Sequence, residues 1–420
     1  MLRVQRSYNN SSIYFSEFIE VINDNNFSPN QAYKIFAKET DSILKFDKVA
    51  NFKGHNRGWW LLITISNSTF NDKDVVLQIR NSYINIAKFY DVNNNFNLIG
   101  VTGTFIPIEE RTSLERFINC EINFQANETK QILVSLKKKT LIKLPTYIYD
   151  VNEFSRVSSK DDLLYGIYFG LIITLFIYVF TLAIFIKNKM LFSYSVYIIS
   201  FGFFVFCMVG FFDRFLWING HPYIEFIYQD AVSLVLITMT LFAIAFLDLK
   251  HSLPRFRLYL LVLIGVYILW YLSLKISGLF GLFNDGVAYY LFVQYFFVLI
   301  FFVSLLVTAI KNLKYNKSRS KIYLLAYGSL IFFVIVALSL DLFAKKINLQ
   351  GLNFNAIYEY SYMIGSSIEF AIFTITITKF IQEINLERIN LQKKLIEEER
   401  LKFAGMILGG SGVSMDSVFN

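Results

Sequence analysis

The sequence predicts two domains of opposite character: an extracellular all-β sandwich, and after it a seven-helix α-helical transmembrane bundle that ends in a short cytoplasmic helix. Three observations predict this. Seven long apolar segments fill the stretch from Leu163 to Phe380, with polar sequence on either side. The residues ahead of them alternate in short strand-like runs broken by Asn- and Gly-containing turns. The cations of the short loops between the apolar segments fall mainly on one side of the membrane.

Residues 1–50 are mixed in character and read as part of the outer domain or as the segment leading into it, with a strand near Ile13 to Phe15 and a helical turn at Pro29 to Ala37. The sandwich is placed at 51–157. Five runs carry it: Trp59 to Ser66, Val75 to Arg80, Tyr83 to Tyr90, Phe117 to Phe124 and Gln131 to Leu136. Asn71-Asp72, Asn93-Asn94-Asn95 and Gly100 to Gly103 are the expected turns. Adjacent Trp59 and Trp60 must point to opposite faces of a strand, so one anchors the core while the other faces solvent or a ligand, as an aromatic platform grips a sugar ring. His55 and Arg57, just ahead of them, would line the same mouth. The plain structural alternative is that loops cover both rings and that His55 and Arg57 are simply solvated.

A hydrocarbon core about 30 Å thick needs roughly 20 residues at 1.5 Å rise, and lipid offers the backbone no hydrogen-bond partner, so the apolar segments must be helices. They are read as 163–186, 190–212, 226–247, 258–274, 287–310, 322–343 and 357–378, within a bundle spanning 163–380. With the amino-terminal domain outside, the cytoplasmic loops hold ten cations: Lys187, Lys189, Lys250, Arg255, Arg257, Lys311, Lys314, Lys317, Arg319 and Lys321. The opposite loops hold four, Arg214, Lys275, Lys345 and Lys346. The bias places the sandwich outside and the carboxyl end in the cytoplasm of an integral inner (plasma) membrane protein. An exported domain of this size requires a signal, and Met1 to Asn30 contains no apolar core for one. The expectation is a signal missing from the start, with a reverse-anchoring first helix as the alternative.

The net charge of +8 is spread along the chain and follows topology, not nucleic-acid binding. Cys120 and Cys207 fall in different environments, so no disulfide, metal site or cofactor is predicted.

The membrane half carries Tyr165-Gly166-Ile167-Tyr168-Phe169-Gly170 in its first helix, Phe246-Leu247-Asp248-Leu249-Lys250 followed by Leu253-Pro254 after its third, and Gly365-Ser366-Ser367-Ile368-Glu369 in its seventh. Together with the strand Trp60-Leu61-Leu62-Ile63-Thr64-Ile65-Ser66-Asn67, these make the chain resemble the bacterial seven-transmembrane receptors with diverse intracellular signalling modules over about residues 45–390. The resemblance implies a jelly-roll-like outer sandwich and a receptor that couples an outside ligand to an inside output, in relatives a histidine kinase, a cyclase or a phosphatase, often within two-component systems.

The tail departs from that pattern. Residues 381–403 read as a signalling helix or short coiled coil and 404–420 as a flexible end, with no phosphoacceptor His, cyclase motif or phosphate-cradling loop, so no catalytic activity is expected of this chain. Ile377, Ile381, Ile384, Leu391 and Leu395 follow a 4-3 spacing, with Arg388 in one core slot. That stripe suits a homodimer; the alternative is a single amphipathic helix on the membrane or on its own bundle. A cytoplasmic signalling partner, or an output domain missing from this chain, would receive the signal.

Ionisable groups at membrane depth are costly and mark function. Glu369, near the middle of helix seven, follows Gly365 and Ser366, a small residue for close approach and a hydroxyl to bond the carboxyl. With Asp230 in helix three it forms the expected coupling set, and Gln294 is similarly placed in helix five; the plain alternative for Glu369 is a protonated, hydrogen-bonded packing residue with no switching role. Asp213 and Arg214 are expected to stay hydrated or pair with the outer domain, Asp248 to pair with Lys250, and Tyr358, Tyr360 and Tyr362 to form an aromatic belt. The reading is therefore a sensor of an extracellular ligand, a carbohydrate or small polar molecule. A transporter would want repeats and several midplane charges. A retinal-type photoreceptor would want a mid-depth Lys in helix seven, where Lys379 sits instead at the inner edge.

Overall fold

The computed structural model describes residues 13–14, 20–24, 27–38, 44–45, 51–52, 58–138, 142–143, 145–217, 219–220, 224–279, 287–343 and 354–411. Its outer part holds twelve strands among the described residues: β1 (Ile13–Tyr14), β2 (Glu20–Asp24), β3 (Leu44–Lys45), β4 (Asn51–Phe52), β5 (Gly58–Ser66), β6 (Lys73–Ile79), β7 (Ile86–Asp91), β8 (Asn97–Thr102), β9 (Ile118–Phe124), β10 (Thr129–Lys137), β11 (Ile142–Lys143) and β12 (Thr146–Asp150). One sheet runs β1-β12-β6-β9, a second β3-β2-β5-β10-β7-β8, and β4 pairs with β11. The described pairings are antiparallel.

Alternation drives the two sheets together. Trp59, Leu61, Ile63 and Ile65 of β5 face Leu77, Ile79, Cys120, Ile122 and Ile148 of the other sheet, and this shared core is sealed from solvent. On the opposite face of the second sheet, Trp60, Leu62 and Leu133 are covered by helix α1 (Pro29–Ala37) through Ala32 and Phe36. The helix starts where Ser28 and Gln31 close a capping box and Pro29 supplies a preset φ. β2 and α1 are thus built into the sandwich, since β2 pairs with β5 from Asp24↔Gly58 to Glu20↔Leu62 and α1 covers the face beside it.

Several strands correct the sequence reading. The Gly100 region is a strand, β8, and not a turn, and β2, β3, β4, β11 and β12 had no counterpart among the expected runs. Gly100 sits in β8 because a Cβ there would meet Cys120 Sγ at 2.8 Å, so the strand needs a residue without a side chain for packing against β9.

The membrane part contains seven helices long and apolar enough to cross a bilayer, among the described residues. They are α2 (Val151–Ile186), α3 (Lys189–Met208), α5 (Ile224–Phe246), α7 (Pro254–Leu279), α8 (Val287–Asn312), α9 (Lys317–Phe343) and α10 (Phe354–Ser411), with the short α4 (Phe211–Phe215) and α6 (Leu249–Ser252) in links. Sandwich and bundle are joined without a linker. β12 ends at Asp150, whose carboxylate accepts the Asn152 amide at 3.0 Å and starts α2 on the next residue. The first ten residues of α2 therefore stand above the apolar span and pack on the sheet, where Phe154 meets the Tyr149 ring at 5.9 Å. α10 is longer than the expected span, 58 residues in one helix. From Phe380 to Phe403, 24 residues at about 1.5 Å rise carry it about 36 Å beyond the span.

Candidate functional site: the junction of sandwich and bundle

The aromatic platform expected of the tryptophan pair does not form. Trp59 lies in the core between the sheets, and Trp60, 3% exposed, lies under α1 beside the Tyr90 ring at 5.9 Å. Neither ring offers a face to a sugar in this state; α1 supplies the cover that a strand-only reading leaves out. His55 and Arg57 lie outside the described residues.

The charged groups gather instead where the sandwich meets the helices. Asp161, one residue before the paired Asp162 on α2, is the node. Arg80, at the end of β6, reaches its Oδ2 at 2.9 Å, and Arg116, just ahead of β9, lies 3.8 Å from the same oxygen. Tyr360 of α10 donates its hydroxyl to Asp161 Oδ1 at 2.5 Å. One carboxylate on helix one thus binds two cations of the sandwich and one hydroxyl of helix seven.

Around this node Arg116 Nε lies 3.1 Å from Asp162, Arg214 of α4 lies 3.1 Å from Asp162, and Ser158 donates to Glu115 at 3.0 Å. Arg111 holds Asp213 through both terminal nitrogens, at 2.7 and 3.1 Å. Asp213 therefore pairs with the outer domain, whereas Arg214 pairs chiefly with α2 and lies 3.9 Å from Glu115 of the outer domain. Burial pushes the Asp213 carboxyl above its ordinary range, and the bonds from Arg111 oppose that push. Burial also raises the Tyr149 hydroxyl to about 12, with the nearby Arg80 acting the other way.

The guanidinium of Arg116 is 3% exposed and centred 4.5 Å from the Tyr165 ring, 4.9 Å from Phe211 and 5.0 Å from Phe117. Two of those rings belong to the bundle and one to the sandwich. Only a flat, weakly hydrated cation combines carboxylate pairing with stacking on several rings, so arginine suits this place and lysine does not. The backbones approach as closely. Gly210, at φ +84°, leaves 2.7 Å between its missing Cβ and that of Ser82, so both its conformation and its neighbour exclude a side chain. Tyr83 donates to the Cys207 carbonyl at 2.8 Å. A water-sized cleft between sheet and helix is lined by Gln78, Glu115, Phe117, Phe154 and Ser158.

Deeper in the bundle, three of the four expected coupling residues come together on α10. Glu369, 1% exposed, accepts from the Tyr197 hydroxyl of α3 at 2.9 Å. Ser366 faces Tyr168 of α2 at 3.1 Å and donates to its own helix at the Tyr362 carbonyl, so its hydroxyl does not serve Glu369. Gly365 lets α9 approach: a Cβ there would stand 3.0 Å from that of Phe333. One turn further on, Tyr194 donates to the Phe370 carbonyl at 2.9 Å and lies 3.1 Å from Thr374. Helix seven is thus tied to helices one and two by tyrosine hydroxyls. Asp230 forms a separate cluster with Tyr271 and Lys275 of α7, the latter at 2.8 Å. Gln294 is buried in α8. Asp248 pairs with His251 at 2.8 Å and not with Lys250. Tyr362 packs against Phe204, which with the Tyr360 bond replaces the expected aromatic belt; the side chain of Tyr358 lies outside the described residues.

Arg80, Arg111, Arg116, Asp161, Asp162 and Tyr360 are the residues that sequence reasoning passed over or placed elsewhere. A signal was available in the paired acids Asp161-Asp162 directly before an apolar span, and in Arg80 and Arg116 at strand ends. Among the described residues, no group of three or more His, Cys, Asp or Glu is placed to hold a metal ion.

A model of the 7TM diverse intracellular signalling domain matches residues 161–379, and a model of the second 7TMR-DISM extracellular domain matches residues 19–150. Both are receptor-type domains, and the boundary between their matched ranges falls at the junction described above. No curated protein matches the chain. The chain is a multi-pass membrane protein with an outer sensory domain, and it belongs to the family of seven-transmembrane receptors with diverse intracellular signalling.

Proposed function

We propose that the sandwich binds a small extracytoplasmic molecule, a carbohydrate or another small polar compound, and that binding shifts the bundle between two arrangements that the far end of α10 reports to a cytoplasmic signalling partner. The observation that carries this is the position of Asp161, ion-paired at once with Arg80 and Arg116 of the sandwich and hydrogen-bonded by Tyr360 of α10. A shift of the sandwich relative to α2 changes the ion pairs, and the same carboxylate then changes its hold on helix seven. A ligand biases the two arrangements only by its differential affinity for them. Glu369 with Tyr197 is the second contact on this path, below the junction.

The loop cations support an inner-membrane orientation with the sandwich outside and the carboxyl end of α10 in the cytoplasm. In this reading the chain senses and transmits, and catalysis belongs to a partner or to an output domain. A second copy of the chain is one partner.

The test uses the full chain in nanodiscs, with a spin label at Lys402→Cys and a panel of mono- and disaccharides and small polar metabolites. A compound that binds should change label mobility, and Asp161→Asn should suppress that change while binding persists. A bound compound that leaves the tail unaltered, or an equal response in Asp161→Asn, contradicts the proposal.

A further inference from the structure

Glu369 stands among tyrosines that its single hydrogen bond does not account for. The packing of α9 on α10 fixes their levels. A Cβ on Gly365 would lie 3.4 Å from the Leu330 backbone, and the Phe373 ring lies 5.8 Å from that of Tyr323. Glu369 is one turn from Gly365 and from Phe373 on α10, so it is level with Tyr327, which is one turn from Leu330 and from Tyr323 on α9. The rings of Tyr323 and Tyr327 are themselves 5.4 Å apart. From α3, Tyr197 reaches the same level and donates to Glu369 Oε2 at 2.9 Å. Three tyrosines and one carboxyl thus converge between helices two, six and seven. Aromatic rings wall them in: Phe370 lies 5.4 Å and Phe242 5.9 Å from Tyr197, and Phe373 lies 4.9 Å from Phe242.

The polar atoms of this cluster are not used up. The hydroxyls of Tyr323 and Tyr327 are buried and have no hydrogen-bond partner among the described residues. Tyr197 bonds Oε2 of the carboxyl, and among the described residues no Lys, Arg or His pairs with Glu369. Lys275 is taken by Asp230 at 2.8 Å. Buried polar groups without partners are rare and point to something bound between them. A carboxylate at membrane depth also needs a compensating charge.

We infer that Glu369, Tyr197, Tyr323 and Tyr327 form a binding site for one sodium ion inside the bundle. The donors are all oxygen, which suits a hard cation. A single carboxylate balances a single positive charge, so the ion is monovalent. The carboxylate and the close aromatic walls favour the smaller sodium over potassium, by field strength and by size. A proton on Glu369 does not serve as well. It bridges only oxygens within hydrogen-bonding reach, about 2.5–3.0 Å, and neither free hydroxyl is bonded to the carboxyl. An ion held between the oxygens spans a wider gap. Occupancy ties helix seven to helices two and six, so sodium favours the arrangement in which the three helices are drawn together.

The full chain in nanodiscs tests this, with sodium chloride, potassium chloride and choline chloride compared at equal ionic strength. The thermal midpoint should rise saturably with sodium and change little with the other two salts, and radioactive sodium should bind saturably. Glu369→Gln should abolish both effects. Tyr323→Phe combined with Tyr327→Phe keeps the carboxyl and the ring packing and should weaken sodium affinity several-fold. Midpoints that respond alike to all three salts, or undiminished sodium binding by Glu369→Gln, would overturn the inference. Should Glu369→Gln not fold, the double tyrosine variant decides, and unchanged sodium affinity there overturns it as well. No extracellular compound enters the experiment, so its failure is separable from failure of the sensing proposal.

Discussion

Tyr360 donates a hydrogen bond to Asp161 across 199 positions of sequence, and the carboxylate that accepts it is the one that Arg80 of the sandwich holds at 2.9 Å. The outer domain and helix seven are therefore two bonds apart. Asp161→Asn removes the charge that compensates buried Arg80 and Arg116. A broken buried pair costs about 3–5 kcal/mol, and Tyr360→Phe, which removes only one hydrogen bond to a charged group, about 2 kcal/mol. Chemical denaturation of the full chain in detergent should order the variants in that way.

Arg116→Lys is expected to behave nearly as badly as Arg116→Ala. An ammonium keeps the charge but cannot stack on Phe117, Tyr165 and Phe211 while pairing with Asp162. Equal stability of Arg116→Lys and the parent in thermal melts would show that the ring contacts contribute little.

Trp59→Ala and Trp60→Ala should both destabilise, each by about 3–5 kcal/mol, because both rings are enclosed. A stable Trp60→Ala variant with selectively weakened binding would restore the aromatic-platform idea that the cover of α1 argues against.

Burial, reinforced by the neighbouring Glu121, raises the Cys120 thiol to about 12 from an ordinary value near 9. A group with a raised folded value stabilises fully below its unfolded value and loses that contribution as pH climbs toward the folded one. The outer domain should lose stability between pH of about 9 and about 12, and Cys120→Ala should flatten that decline in pH-dependent melts. Tyr149, raised to about 12 from an ordinary value near 10, adds to the same alkaline loss, and Tyr149→Phe should remove its share.

Glu369→Gln keeps an oxygen for the Tyr197 hydroxyl and should fold normally while altering the response of the tail. Tyr197→Phe strands the buried carboxyl and should cost about 1–3 kcal/mol. A Glu369→Gln receptor whose tail responds like the parent's would remove Glu369 from the path.

The spans were legible because lipid imposes one requirement on about 20 consecutive residues, and composition alone reports it. The β-sandwich was legible through period-two runs such as Trp59 to Ser66. β8 was not, since Gly100 reads as a turn residue until its contact with Cys120 is known. The fate of Trp60 depended on α1, which lies more than 20 residues upstream, and no local pattern says which sheet face a helix will cover. The Glu369 contact was legible as a mid-depth acid, but its partner was not: Tyr197 lies 172 positions away and is one of many tyrosines. The junction was hardest, because Arg80, Arg116, Asp161 and Tyr360 look like ordinary surface residues until two domains meet.

Hydrogen exchange across residues 381–403, compared between the parent receptor and Asp161→Asn in nanodiscs, addresses the coupling most directly. The junction as described requires the exchange of the tail to change when the carboxylate some 220 positions earlier loses its charge. Identical exchange in the two proteins, with the sandwich still folded, would mean that Asp161 does not connect the outer domain to helix seven.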